Sequence, residues 1–451
     1  MIITEKNRLM MNTGVLTASA LIARVISMAF QAWMASRIGS EGIGLFQLTG
    51  AVSALFGVVA VSGIRFASTR LIAENLSDRR RVQSVIEHCF LYAAVFGTFS
   101  AAGMIFLSKS LAFLWIEDAR TLLSLRIAAA AMPLIAFSSV LAGYFNACGN
   151  AWKPALISIG EQLLSVLLTI AAFRRCDPLD LERICASITG SSILASGFAL
   201  ILLLLIFLRE KPYQTEEKQQ DPPSGRLLRV ALPLAVSSYF RTGLSTTEHL
   251  IIPQCLRRAG LSAEAALSGY GLVHGMALSA VLFPACLLFA LAELIVPLLT
   301  KAQMNGDIQV MHRVVSKLRI GTILYAMLTA SALAMLARPI AEKLYHTPEA
   351  AGYIRALAPL VPIMNLDTIT DGCLRGLGQQ RRVMRINILD AALGVSLVWI
   401  LLPRNGVSGY LWMIWITESV NCLLSSTALQ RALQKKPRLK AGVKRIRYAL
   451  L

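Results

Sequence analysis

Apolar residues fill this chain in stretches of about 20, parted by short polar segments, which is the length a helix needs to cross a bilayer. The stretches fall at 13–36, 42–64, 85–108, 121–145, 153–173, 184–208, 227–252, 266–298, 316–337, 351–374, 384–403 and 407–430. Runs such as ILASGFALILLLLIFL are continuously apolar, without the alternation of a barrel strand. Helices are therefore predicted, because lipid forces the backbone to satisfy its hydrogen bonds internally. The stretch 266–298 is too long for one upright crossing and too short for two, and Pro284 inside it predicts a single tilted, bent helix.

Composition agrees with a membrane protein. Of 451 residues, 56% are hydrophobic and 15% charged, against roughly 25% charged in a soluble domain. Twelve crossings leave only short loops, which excludes a large soluble catalytic domain. The eight cysteines are scattered without a CxxC pair, so neither a disulfide framework nor a metal site is expected. The basic residues before the first run, with no cleavage signal after it, predict a retained first helix.

The net charge of +19 changes the picture further. In a soluble protein it would suggest nucleic acid, but here the basic residues flank apolar runs, so no nucleic-acid partner is expected. With twelve crossings both termini lie on one side. The segments on that side carry 29 of the 44 Lys and Arg residues, and the opposite loops carry 13. The positive-inside bias predicts a cytoplasmic-membrane protein with both termini cytoplasmic. The tail KKPRLKAGVKRIR then either lies on anionic lipid or acts as a simple stop signal.

REKPYQTEEKQQDPPSGR is the longest polar segment and reads as a linker. It divides the chain into a first six-helix lobe (1–208), a linker (209–226), a second lobe (227–430) and a basic tail (431–451). At an offset of 229 residues Pro133 matches Pro362, Gly143 matches Gly372, Gly149 matches Gly378 and Glu161 matches Asp390; at 217, Arg24 matches Arg241. Six crossings per half make these parallel repeats, so the expected fold is all-α: twelve transmembrane helices in two lobes around a central cavity.

Charge at membrane depth marks the candidate residues, since a central arginine costs at least about 2.5–3.5 kcal/mol on insertion. Arg24 and Arg241 both lie mid-span, as a candidate fork for an anionic phosphate or diphosphate. The competing reading neutralises them with Glu161 or Glu248. Glu248, His249 and Glu293 are candidates to bind a coupling proton or sodium ion, and Asp367, Asp371 and Glu418 invite the same reading. A wet position near the interface is the alternative for Glu248, and helix-end hydrogen bonding for most of the others. Glu161 and Asp390, used twice in one frame, read as groups that hold helices together. Gly39, Gly42 and Gly44 predict a tight turn. With no GxxxxGK[ST], HExxH or GxSxG, the chain is expected to be no enzyme and to carry no cofactor. Energy would come from an ion gradient, the membrane potential or the substrate gradient.

The segments SALIARVISMAFQAWMASRIGSEGIGLFQL and VVAVSGIRFASTRLIAEN resemble the opening of the stage V sporulation protein B group, within the multidrug, oligosaccharidyl-lipid and polysaccharide exporter superfamily. LFP at 282–284 and the GLGQQRRV turn extend the likeness into the second half. Where the group commonly follows its first-span arginine with Leu-Gly, this chain has Met28 and Gln31 nearby. The resemblance implies alternating access, a cationic cavity lined by a residue matching Arg24, and a lipid-linked anionic sugar precursor as substrate. Envelope-synthesis enzymes would then be partners. A cation-coupled multidrug exporter of the same fold, and a non-transporting scaffold, are the competing readings.

Overall fold

A computed structural model describes residues 2–76, 78–174, 180–209 and 224–434, and the remainder of the chain is left undescribed. Every described element is helical. The helices are α1 (Ile2–Val61), α2 (Ile64–Glu74), α3 (Arg79–Ser110), α4 (Thr121–Ala129), α5 (Ala131–Ala147), α6 (Trp152–Phe173), α7 (Leu181–Arg209), α8 (Ser224–Arg258), α9 (Ala263–Tyr270), α10 (Ser279–Leu282), α11 (Ala285–Asn305), α12 (Ile308–Pro339), α13 (Ala350–Leu357), α14 (Val361–Gly376) and α15 (Gln380–Gln434). They form twelve crossings in two lobes. α1 holds the first two crossings and α15 the last two, each reversing at one glycine, Gly39 (φ 68°) and Gly406 (φ 58°). A left-handed residue there lets helix lead straight into helix. Gly42 and Gly44 are not part of that turn. Both are helical, and Gly44 brings α1 so close to α9 that a Cβ would stand 2.5 Å from the Leu267 carbonyl oxygen.

The long stretch around Pro284 forms α9, a π-helical segment at Gly271–Leu278, α10 and α11, a single crossing broken at the proline. Proline cannot donate to the preceding turn, and the Tyr325 hydroxyl donates to the Pro284 carbonyl at 2.9 Å across the break.

The internal repeat is visible in the geometry. Crossing 4 is interrupted at Ala130, just before Pro133, and crossing 10 at 358–360, just before Pro362. A Cβ on Gly143 would collide with Ser68 and Arg65 of α2, and one on Gly372 would stand 2.8 Å from the Cβ of Ala292 in α11. Thr69 donates to the Gly143 carbonyl at 3.2 Å and Thr300 to the Gly376 carbonyl at 2.8 Å, so crossings 2 and 4 meet as crossings 8 and 10 do. Gly149 (φ 73°) and Gly378 (φ 69°) end the matching helices. Small residues let membrane helices pack by close contact where water supplies no drive.

The lobes meet closely at the end opposite the chain termini, the hairpin end. There a Cβ on Gly271 would stand 2.9 Å from the Gly44 nitrogen and collide with the Ser40 carbonyl oxygen. Ser40 and Ser268 share a hydrogen bond of 2.6 Å, Gln254 donates to the Trp115 carbonyl at 2.6 Å, and Arg257 pairs with Glu117 at 2.6 Å. Toward the terminal end the lobes touch again where Tyr239 donates to Ser62 at 2.5 Å and Gly63 lies against Ala231, and the packing then divides into two cores. One core joins the first lobe to the hairpin half of the second, reaching the start of α8 at Leu227 and Ala231. A separate core around Leu299, Val315, Ile369, Ile386 and Leu429 holds the terminal half of the second lobe.

Candidate functional site

Arg24 lies two turns from Gln31 along one side of α1. Gln31 donates to the Gly275 carbonyl of the second lobe at 3.0 Å, so this side of α1 faces that lobe. The Arg24 guanidinium is exposed and lies 5.4 Å from the centre of the Phe289 ring on α11. A cation over an aromatic face is attracted but keeps its hydrogen-bond donors free. Arg241 is exposed on α8 beside Thr242 and four residues before Ser245, both of which line a cavity at the lobe boundary. Neither arginine has an ion-pair partner among the described residues. The proposed neutralising carboxylates are engaged elsewhere: Glu161 accepts from Ser196 at 2.5 Å, and Glu248 packs against Gly394 of α15.

The boundary cavity holds about 150 Å³ between Gln47, Ala51 and Ala54 of the first lobe and Thr242, Ser245 and His249 of α8. Thr246 fixes this junction by donating to the Ala51 carbonyl at 3.1 Å. The second-lobe wall is a ring cluster. His249 and His274 lie 4.5 Å apart between centroids, Tyr270 stacks on His274 at 5.3 Å, and the Tyr270 hydroxyl sits 3.2 Å from His249 Nδ1. The Tyr410 hydroxyl closes the set at 3.4 Å from His274 Nδ1. His274 belongs to the π-helical segment, a local widening that re-aims side chains and recurs at functional sites.

Behind this wall the second lobe gathers carboxylates from four crossings. Asp367 accepts from Asn421 at 2.9 Å and from Ser425. Asp371 lies 3.8 Å from Arg375. Glu418 is within electrostatic range of Asp390, Asp367 and Glu248. One oxygen of Asp390 is buried without a hydrogen-bond partner, as is the Asn421 amide oxygen. Among the described residues no three His, Cys, Asp or Glu side chains converge as a metal site.

A family model described as "Polysaccharide biosynthesis protein" matches residues 9–285, which is more than half of the chain. The chain belongs to this polysaccharide biosynthesis protein family. It is similar to stage V sporulation protein B of Bacillus subtilis (strain 168), with 23% identity over 90% of this chain and 80% of that protein. Sporulation protein YkvU of the same strain is 22% identical over 88% of each chain. The fold matches an inward-facing conformation of a multidrug resistance MATE family transporter of the MOP superfamily, with a TM-score of 0.74 over 93% of this chain and 98% of that one, at 13% identity. The protein is therefore a multi-pass membrane transporter of the flippase group, on the fold expected from its sequence.

Within this family member the two arginines lie on different lobes, as the repeat implied. Glu161 and Asp390 part company, since Glu161 ties α6 to α7 through Ser196 while Asp390 keeps an unpartnered oxygen. Arg241 and Glu248 form no pair, in keeping with their two-turn separation. Glu293 lies on α11, but its side chain falls outside the described residues, as do most of the linker and the tail beyond Gln434. His274, Tyr270 and Tyr410 were missed. The only available signal was an i, i+4 Tyr-His pair within an apolar stretch.

Proposed function

We propose that this transporter flips a lipid-linked oligosaccharide or peptidoglycan-type precursor across the cytoplasmic membrane by alternating access, with both termini in the cytoplasm. The observation that carries this reading is the pair of uncompensated guanidinium groups, Arg24 and Arg241, on opposite lobes. A diphosphate offers several acceptor oxygens to such forks, and its partial release from water would oppose the insertion cost of the arginines. The terminal side carries most of the basic residues, which suits cytoplasmic loading, and a tail of this charge would be attracted to anionic lipid. Family and fold are those of transporters, and we infer that the chain makes and breaks no covalent bonds of its own.

Energy coupling would run through the second-lobe carboxylates. Asp390, with its unpartnered oxygen, and Glu248 beside it form the natural place for a proton or sodium ion. Those same carboxylates favour the second reading, a cation-coupled multidrug exporter. They lie between second-lobe helices, however, while the arginines reach the exposed surface. Complementation separates the two. Arg24→Ala should fail to restore growth in a flippase-depleted strain while its abundance matches wild type, and normal growth would remove the anion site.

A further inference from the structure

The groove between α12 and the end of α15 encloses about 420 Å³, and it lies at the terminal end of the second lobe, away from the boundary with the first. We propose that it is a binding site for an anionic glycerophospholipid of the surrounding bilayer. Its upper wall is polar: His312, Ser316 and Arg319 occupy one side of α12 at helical spacing, facing Gln430 and Gln434 of α15. Ile320 and Ile323 continue the same side deeper along α12, as an acyl chain would require. Head-group chemistry at one end and hydrocarbon at the other match a lipid oriented as in the membrane.

Charge selects an anionic lipid. Arg319 is half-buried, and among the described residues no carboxylate or carbonyl bonds its guanidinium, which lies within electrostatic range of the Cys373 and Cys422 thiols. Five N–H donors facing a groove at the membrane edge suit a phosphodiester better than a neutral group. No acidic residue occurs from Ile308 to Ala341, nor from Ser419 to the end of the chain, so both walls are free of carboxylates along the groove. Lys317 and Arg313 add positive charge on α12, and Arg431 does so on α15. The basic segment that follows Gln434 would be repelled from this groove rather than fill it. Basic pockets between transmembrane helices on the cytoplasmic side are known chemistry for lipid head groups.

The test is retention of lipid by the full-length protein, purified and exchanged into nanodiscs of phosphatidylcholine doped with phosphatidylglycerol, then read by native mass spectrometry. Wild type should hold phosphatidylglycerol in preference to phosphatidylcholine, and the preference should fall with added salt. Arg319→Gln should weaken it about tenfold, the scale of one lost charge-assisted contact. Arg319→Lys should retain part of it, and Ile323→Trp, which fills the apolar half without touching charge, should also weaken it. Equal retention of the two lipids by wild type, or an unchanged preference in both Arg319→Gln and Ile323→Trp, would overturn the proposal. So would a preference that appears only after removal of residues 435–451, which would make the tail the occupant.

Discussion

Alternating access requires the hairpin-end seal to open, and the seal depends on glycines whose missing side chains let the lobes touch. Gly271→Ala is the sharpest perturbation. A Cβ there would stand 2.9 Å from the Gly44 nitrogen and closer still to the Ser40 carbonyl oxygen. Both are backbone atoms of α1, and no rotamer change can relieve them. Overpacking of this kind costs about 1–3 kcal/mol. The strain exists only while the seal is shut, so it would shift the population toward the state open at the hairpin end by about 5- to 150-fold. The assay places a single cysteine at Thr242, on the boundary cavity, in a background where the eight native cysteines are replaced. Labelling by an impermeant maleimide applied from the hairpin side should accelerate at least fivefold in Gly271→Ala. Gly352→Ala, where a Cβ would meet nothing within 4 Å, should leave the rate unchanged. If Gly271→Ala labels at the wild-type rate from both sides, the seal does not depend on this contact and the reasoning fails.

Other consequences can be checked separately. Arg257→Gln removes the ion pair to Glu117, whose side chains are 23% and 41% exposed, and exposed pairs are worth at most about 1 kcal/mol; hairpin-side labelling should rise by no more than about fivefold, and a larger rise would show that the pair dominates the seal. Gly372→Ala should lower thermal stability in detergent by about 1–3 kcal/mol through its clash with Ala292, and adding Ala292→Gly should lower it by less than the two single variants sum to. An unchanged melting curve for the single variant would refute that close packing. Asp390→Asn should leave precursor binding intact while making transport insensitive to collapse of the proton or sodium gradient, and retained ion dependence would move the coupling site elsewhere.

Much of the architecture was written in single residues. Pro133 with Pro362 and Gly149 with Gly378 were legible as matched repeat positions, but that the prolines follow broken crossings, and that Gly149 ends a helix instead of packing against a neighbour, came only from the geometry. The crossing count followed from hydropathy, since lipid leaves the backbone so little choice. Contacts between distant segments were hidden. Nothing local pairs Glu117 with Arg257, places His274 against His249, or leaves Asp390 with an unpartnered oxygen while its repeat mate Glu161 finds Ser196. The arginines stood out because charge at membrane depth is costly wherever it occurs. Their freedom from carboxylates could be read only in three dimensions. The RIGSEGIG turn shows the same limit: composition marked a bend, but only geometry separates Gly39, which makes it, from Gly44, which packs against α9.

The most direct test of the account is the rate at which purified protein in liposomes moves a labelled lipid-linked diphosphate precursor from one leaflet to the other. Wild type should flip it. Arg24→Ala and Arg241→Ala should each lose at least about tenfold in rate, as expected for a charge-assisted bond to phosphate, with transport of a cationic dye no better than in empty liposomes. Equal precursor rates in wild type and both variants, or dye transport that outlasts loss of the arginines, would contradict it.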